Sequence, residues 1–335
     1  MADLFQERFA IYEKIEKMRS SRVIAFVTGD RPNMQAQISN DAVDLFGDHL
    51  DGLFPAKKIS LILYTIGGNT LAAWNIVNML RMFCDQLEII LPNKARSAGT
   101  LMCLGADRIL MTKQATLGPI DPSVAGPLNP MIPGAAPDAR APVSVEAVRG
   151  YIEMAKKDFG VEDGADMARV LIDLSSKVHP LVLGAIFRTR TQIQFLAREL
   201  LKSQVTKDEK VNKIIGFLCS ESGSHDYTIN RREAKTLGLQ VENPSDELYQ
   251  LLKEFLANVR ADMQLLVPFD ANALLAGNQT TTYACTRCLI ESTAKAPNMI
   301  FESAGTLTRV SIPHPQFGPQ DGINDNRTFE GWRPR

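Results

Sequence analysis

The sequence is short of most features that would settle its chemistry at a glance. It has five cysteines, four histidines and two tryptophans in 335 residues, and aromatic residues make up 7% of it. Cys84, Cys103 and Cys219 stand alone, and Cys285-Thr286-Arg287-Cys288 is a single C-x-x-C with no second pair. A zinc site needs further ligands at suitable spacing, and a disulfide framework goes with export, so neither metal nor disulfide is expected. The simpler reading of Cys285 and Cys288 is two small residues on one helix. A dominant charge is lacking too: 37 basic against 38 acidic residues leave a net charge of -1, which gives no case for nucleic acid or a membrane surface. Arg188, Arg190 and Arg198 in FRTRTQIQFLARE read as a solvated or subunit-contact face, because no base-stacking platform accompanies them. No apolar run reaches the ~18–20 residues that span a bilayer. The opening stretch MADLFQERFAIYEKIEKMRSSR has no secretory core and carries Leu4, Phe5, Phe9, Tyr12 and Ile15 at helical spacing. The expected compartment is therefore the cytoplasm, with no membrane span, no nucleic acid and no cofactor.

What the chain does have is a rhythm. Hydrophobic residues make up 45% of it, ample for a sizeable core. Arg22–Thr28 reads as a strand, punctuated by Gly29-Asp30-Arg31-Pro32-Asn33. A helix over Ser39–Asp51 follows, with Ser39 or Asn40 as its cap. Then come a strand over 59–66, a helix over 70–84, a strand over 87–91, a helix over 97–105 and a short apolar run at Asp107–Met111. Strands alternating with helices through short links imply parallel pairing and right-handed crossovers. Strands written as unbroken apolar runs imply a sheet covered on both faces. Residues 118–142 hold seven prolines and three glycines and read as an exposed, mobile loop, either a lid or a subunit contact. Helices are expected over Val145–Asp158, Ala165–Ser175, Pro180–Lys202, Asp208–Cys219, from Ile229 to a C-cap at Gly238, and over Asp246–Asp262. Further on, Asn298–Phe301 and Leu307–Ile312 read as a hairpin turned at Gly305. The tail from Pro313, crowded with Pro, Gly, Asn and Asp, reads as loosely ordered.

Two of the strand-to-helix turns carry chemistry. The run Leu61–Ile66 ends in Gly67-Gly68, and Leu87–Leu91 leads through Pro92-Asn93-Lys94-Ala95-Arg96 to Ser97-Ala98-Gly99. Glycines after a strand let an N–H point into a cleft and a substrate lie close. A serine at a helix start sits where free N–H groups and the helix dipole favour developing negative charge. Each turn alone has an ordinary explanation, a tight turn in one case and a serine N-cap in the other. Together, at the C-terminal ends of strands, they meet the rule for ligand sites in α/β sheets. The pair suggests a nucleophile, Ser97, facing an oxyanion hole made of the Gly68 and Ala98 N–H groups. Each donor of this kind contributes roughly 3 kcal/mol to transition-state binding.

The segments TIGGNTLAAWNIVNML, KARSAGTLMCLGADRILM, ATLGPIDPS and HDYTINRREAKTLGL resemble the Clp/crotonase-fold serine proteases. That superfamily includes the Clp protease catalytic subunit, the signal-peptide peptidase A group and the serine dehydrogenase proteinases, and the chain is most similar to the last. The resemblance covers residues 20–245. It implies an α/β fold of Clp/crotonase type, a spiral of ββα units, with residues 1–20 as an N-terminal helix, 21–245 as the protease domain carrying an insert at 118–178, and 246–335 as a C-terminal extension. By the same resemblance Ser97 matches the nucleophile and Gly68 and Ala98 match the oxyanion-hole positions. Ala106-Asp107-Arg108-Ile109 matches the start of a strand in the peptidase A group. The implied activity is that of a serine endopeptidase acting on polypeptides as a symmetric homo-oligomer. Acyl-CoA chemistry of crotonase type, with a Glu or Asp base, and a non-catalytic pseudoprotease scaffold are the alternatives on the same fold. Ser97 itself disfavours the first, as does the absence of an acidic residue between it and Asp107.

A serine also needs a base, since its free hydroxyl is weakly nucleophilic. The histidines are His49, His179, His225 and His314. Where the Clp subunit has its histidine this chain has Ile120-Asp121, so that order does not carry over. His225 is the first choice: Asp226 falls on the Clp triad aspartate by its spacing to Glu233-Ala234, and His225 adjoins it. Lys177, with His179 beside it, is the second, because the peptidase A group uses a Ser-Lys dyad whose lysine precedes a comparable helix. A lysine desolvated in a cleft can serve as a base. Lys113, Lys156 and Lys157 read as surface charges, and His49 and His314 are assigned no role.

Overall fold

A computed structural model of the chain describes residues 4–120, 123–136, 138–221, 226–312, 318 and 320–335. Contacts divide it into two compact units, one of Met1–Leu117 with Ile229–Arg335 and the other of Gly118–Thr228. Elements are numbered along the whole chain.

In the first unit the order is α1 (Leu4–Arg19), β1 (Arg22–Thr28), α2 (Asp41–Leu53), β2 (Lys58–Tyr64), α3 (Thr70–Phe83), β3 (Gln86–Leu91), β4 (Lys94–Ala95), α4 (Ala98–Leu104), β5 (Arg108–Met111) and β6 (Thr116–Leu117). The second unit then contributes β7 (Ser123–Val124), β8 (Val143–Ser144), α5 (Val145–Lys157), α6 (Gly164–Lys177), α7 (Pro180–Leu201), α8 (Asp208–Gly216) and a π-helical turn at Phe217–Glu221. The chain returns to the first unit with β9 (Ile229–Asn230), α9 (Arg231–Leu237), β10 (Val241–Glu242), α10 (Asp246–Asp262), α11 (Ala271–Leu275), β11 (Thr280–Ser292), β12 (Met299–Ile312) and β13 (Gln320–Pro334).

The main sheet of the first unit has eight strands in the order β10-β5-β3-β2-β1-β11-β12-β13. From β10 to β1 the pairs are parallel, and from β1 to β13 they are antiparallel. The expected parallel pairing holds from β10 to β1 and gives way to antiparallel pairing at β11, and the expected burial on both faces holds for β1 and β2, each buried at every position but the first. One face packs Val23, Ala25, Ile62 and Ile90 against α1 (Ile11, Tyr12, Ile15) and α10 (Leu252, Phe255, Val259). Over the other face Phe26 meets Phe46 of α2 edge-on at 5.2 Å. Each fully buried side chain of this size stabilises the fold by about 1.5–3 kcal/mol. A smaller sheet, β4-β6-β9, sits beside the main one and carries the serine turn.

The C-terminal strands belong to the core. Arg8 of α1 makes a bidentate bond to Glu291 of β11, at 2.8 and 2.6 Å, and Tyr12 donates to the same carboxylate at 2.6 Å. Both charged groups are fully buried, and each has a second partner, Asp262 for Arg8 at 3.0 Å and Arg335 for Glu291 at 3.2 Å, so the pair sits in a buried network that ties α1 to the C-terminal strands.

Three expectations for this region are corrected. Residues 299–312 form one strand, β12, paired along its length with β11 and β13. Gly305 makes no turn and marks a register shift in the β12–β13 ladder. A Cβ there would lie 2.6 Å from the Asn326 carbonyl oxygen, so the close approach of β13 explains the glycine. Of the tail read as loosely ordered, residues 320–334 are strand β13, which the pairing with β12 imposes on a composition poor in strand formers. Cys285 and Cys288 lie in β11, both buried, and all five thiols are free. Within the second unit the proline-rich run closes at its base: β7 pairs with β8, and the Asn129 amide donates to the carbonyls of Val124 and Ala141.

Candidate active site

The glycine turn follows β2 directly. Gly67 and Gly68 have φ of 106° and 141°, in the region that L side chains avoid. The Gly67 carbonyl accepts the Ile38 N–H, and the Ile38 carbonyl accepts the Asn69 N–H, both at 2.8 Å. A peptide group is planar and trans, so its C=O and N–H point in opposite directions. With the Gly67 carbonyl held on Ile38, the Gly68 N–H of the same peptide faces away from that segment and outside the pairing. Asn69 then caps α3, its side chain accepting the N–H groups of Leu71 and Ala72 at 2.9 Å.

The serine turn is built differently. Ser97 has φ 48° and ψ −114°, and its side chain caps nothing. That removes the N-cap explanation, since a capping serine sits in extended backbone with its hydroxyl on an N–H of the first turn. A non-glycine residue in this conformation persists only where the surroundings hold it, at a cost of about 1–3 kcal/mol. Here Thr65 pairs with the segment on both sides of Ala95: its N–H donates to the Lys94 carbonyl at 3.1 Å and its carbonyl accepts the Arg96 N–H at 3.2 Å. The Thr100 hydroxyl donates to the Ala95 carbonyl at 3.0 Å, and the Gly99 N–H to the Arg96 carbonyl at 2.8 Å. Lys94 is anchored to Asp30 at 2.7 Å, and the Tyr64 hydroxyl donates to the same carboxylate at 2.7 Å. Burial, and then Asp30, hold that hydroxyl well above the usual phenol range.

The two turns touch. A Cβ on Gly67 would lie 2.8 Å from the Arg96 carbonyl oxygen and 2.9 Å from the Ser97 Cβ. Thr65 also binds the glycine turn: its hydroxyl accepts the Gly67 N–H at 3.0 Å and meets the Thr28 hydroxyl at 2.6 Å. Its methyl leaves no room for a Cβ at Gly99, which would lie 2.3 Å away. Ser97 is half-buried, Ala98 is fully buried, and the Ser97 hydroxyl has no hydrogen-bond partner among the described residues. The residues that sequence reasoning passed over are Thr28, Ile38 and Thr65. Thr28 and Thr65 each left a signal, a polar residue near the end of an apolar strand just before glycine.

The residues put forward as bases fall in the second unit. Lys177 is the exposed last residue of α6. His179 caps α7, its Nδ1 accepting the Leu181 N–H at 3.2 Å, which accounts for it structurally. Asp226 is described and exposed, and His225 lies outside the described residues. In the first unit His49 is buried with Nδ1 2.7 Å from the Ser292 hydroxyl, and burial lowers its pKa. Among the described residues no group of three or more His, Cys, Asp or Glu side chains could hold a metal ion.

A serine in strained backbone beside a glycine turn with one N–H, that of Gly68, left outside the pairing is an arrangement suited to acyl transfer. Residues 53–139 match the family described as ClpP-like SDH-type serine proteinase. Uncharacterized protein MJ1495 of Methanocaldococcus jannaschii is 30% identical over 256 residues, which cover 74% of this chain and 76% of that protein. Uncharacterized protein MJ0137 of the same organism is 34% identical over 205 residues, 61% of this chain and 60% of that protein, so the chain spans about three-fifths of that relative's length. The chain belongs to the ClpP-like SDH-type serine proteinases. Solved structures of the 1510-N membrane-bound stomatin-specific protease are distant neighbours. One is 18% identical with a TM-score of 0.39, covering 65% of this chain and 79% of that one. The other, in complex with a substrate peptide, is 17% identical with a TM-score of 0.36, covering 67% and 76%. Among the described residues no single helix is long and apolar enough to cross a membrane.

Proposed function

We propose that the protein is a serine endopeptidase in which the Ser97 hydroxyl attacks a scissile carbonyl and the Gly68 and Ala98 N–H groups receive the oxyanion. The backbone of Ser97 carries this reading. A φ of 48° with an uncommitted hydroxyl, packed against Gly67, serves no capping purpose and suits a nucleophile turned toward its substrate. Ala98 opens α4, so its N–H is among the first-turn donors that lack an intrahelical acceptor. The proton acceptor in this reading is His225, oriented by Asp226, with Lys177 as the alternative. The substrate is an extended polypeptide lying along the edge at Gly67–Thr70, where close approach needs glycine. Copies assemble as homo-oligomers, as the family resemblance implies, in the cytoplasm, where five free thiols suit a reducing medium.

Hydrolysis of fluorescein-labelled casein by the wild type and by the His225→Ala and Lys177→Ala variants tests the assignment. The expected result is loss of about 10³-fold or more in His225→Ala, and change within about threefold in Lys177→Ala. The reverse pattern would move the base to Lys177. Wild-type activity in both would remove each of them from the mechanism.

A further inference from the structure

The hole turn is held from a strand that the acyl-transfer reading leaves idle. We propose that Arg287, in the C-terminal strand β11, is a positioning residue for the oxyanion-hole turn, acting through the backbone segment 29–38. This inference rests on the reading of Gly68 as a hole donor.

The β11–β12 register shifts between Thr286 and Cys288, so Arg287 stands outside the regular ladder. Bulges of this kind re-aim a side chain, and this one lets Arg287 grip the neighbouring segment repeatedly. Its carbonyl accepts the Gly29 N–H at 2.8 Å, and the Gly29 carbonyl accepts the Ala36 N–H at 2.8 Å. Its guanidinium donates through Nε to the Met34 carbonyl at 3.3 Å and through Nη2 to the Gln35 carbonyl. The remaining nitrogen, Nη1, is fixed by the Ser303 hydroxyl at 3.0 Å and by Glu330 at 2.9 Å. Three residues beyond Gln35, Ile38 holds the Gly67 carbonyl and the Asn69 N–H, and so sets the direction of the Gly68 N–H.

The segment is tight at both ends and open along one side. A Cβ on Gly29 would lie 2.9 Å from the Arg287 carbonyl oxygen, and one on Gly68 would lie 2.3 Å from the Ile38 carbonyl oxygen. Between those ends a cavity of about 300 Å³, bordered by Gln35, Gln37, Asp41, Phe301 and Trp332, adjoins the segment. Packing does not fill that side, and the guanidinium supplies the hold instead. Without it, residues 34–38 gain room to shift, and the Gly68 donor shifts with them. Hole donors act only when aimed at the developing oxyanion, so a displacement of about 1 Å matters.

The test uses Arg287→Met, which keeps the apolar stem and removes the donors, with Arg333→Met as a control. Arg333 pairs with Glu302 in the same antiparallel layer, at 2.6 Å, and makes no bond to residues 29–38. Two readings are taken: the rate of covalent labelling by a fluorophosphonate probe per folded protein, and amide hydrogen exchange over residues 34–38 and 67–69. In Arg287→Met the labelling rate is expected to fall about 10- to 100-fold with the probe's half-saturating concentration within about threefold. Exchange over both stretches is expected to quicken about 10-fold or more. Arg287→Lys should recover part of the rate, and Arg333→Met should change neither reading. Unchanged exchange over 34–38 and 67–69 in Arg287→Met would overturn the proposal, as would equal slowing in Arg333→Met. If Arg287→Met does not fold, Ser303→Ala with Glu330→Leu removes both acceptors of Nη1 and is expected to act in the same direction, with unchanged exchange again overturning the proposal. A wild type that takes no label would defeat the acyl-transfer reading, while the exchange measurement would still decide the grip of Arg287.

Discussion

The glycine turn after β2 and the serine turn after β4 lie against each other and meet the same backbone demand in opposite ways. Gly67 and Gly68 adopt positive φ because nothing hangs from their Cα atoms. Ser97 adopts it although a Cβ opposes it, held by pairing with Thr65 and by the bonds of Thr100 and Gly99. The first turn is written in its own residues, whereas the second is imposed by its neighbours. On the proposed acyl-transfer reading, a side chain is kept at the second because its hydroxyl is the nucleophile.

If the serine is the working group, its removal has the largest effect: Ser97→Ala is expected to abolish casein hydrolysis to the limit of detection, about 10⁴-fold or more. A variant that keeps more than a tenth of wild-type activity would make the serine turn as ordinary as any cap. Next comes Gly68→Ala, whose new Cβ would meet Ile38 backbone atoms at 2.3 and 2.5 Å. Neither can yield as a side-chain tip would, so the turn must open. A loss of about 10²–10³-fold in activity and of about 2 kcal/mol or more in urea unfolding is expected. Thr65→Val, which keeps the shape but leaves the Gly67 N–H without its acceptor, is expected to lower stability by about 1–3 kcal/mol and activity by about 10-fold. Thr65→Ser should restore most of both, and equal behaviour of the two variants would show that the two turns are not coupled through this hydroxyl.

The smallest effect discriminates best between the turns. Ser97→Gly relieves the strain that Ser97→Ala retains, so it should exceed Ser97→Ala in stability by about 1 kcal/mol, read as a shift in urea midpoint at unchanged slope. Equal midpoints would mean that the serine turn carries no strain.

The contrast also explains what could be read from the sequence. The parallel strands, α3, α4 and both turns were legible because apolar runs, glycines and caps are local signals. The antiparallel C-terminal layer was not. Gly305 looks like a turn residue and is instead a glycine under close approach from Asn326, which lies on the neighbouring strand and is distant in sequence. The stretch 320–334 has little strand propensity of its own and takes its form from β12. The strain at Ser97, the hold of Ile38 on Gly67 and the reach of Arg287 are tertiary facts with no local signature. The histidine and lysine read as bases were chosen by family spacing, and only their chemistry can separate them.

The most direct measurement is the site of the covalent adduct. The protein is treated with a fluorophosphonate, digested and mapped by mass spectrometry. A single adduct on Ser97, absent from Ser97→Ala, is the predicted result. No adduct, or one on another residue that persists in Ser97→Ala, would contradict the account.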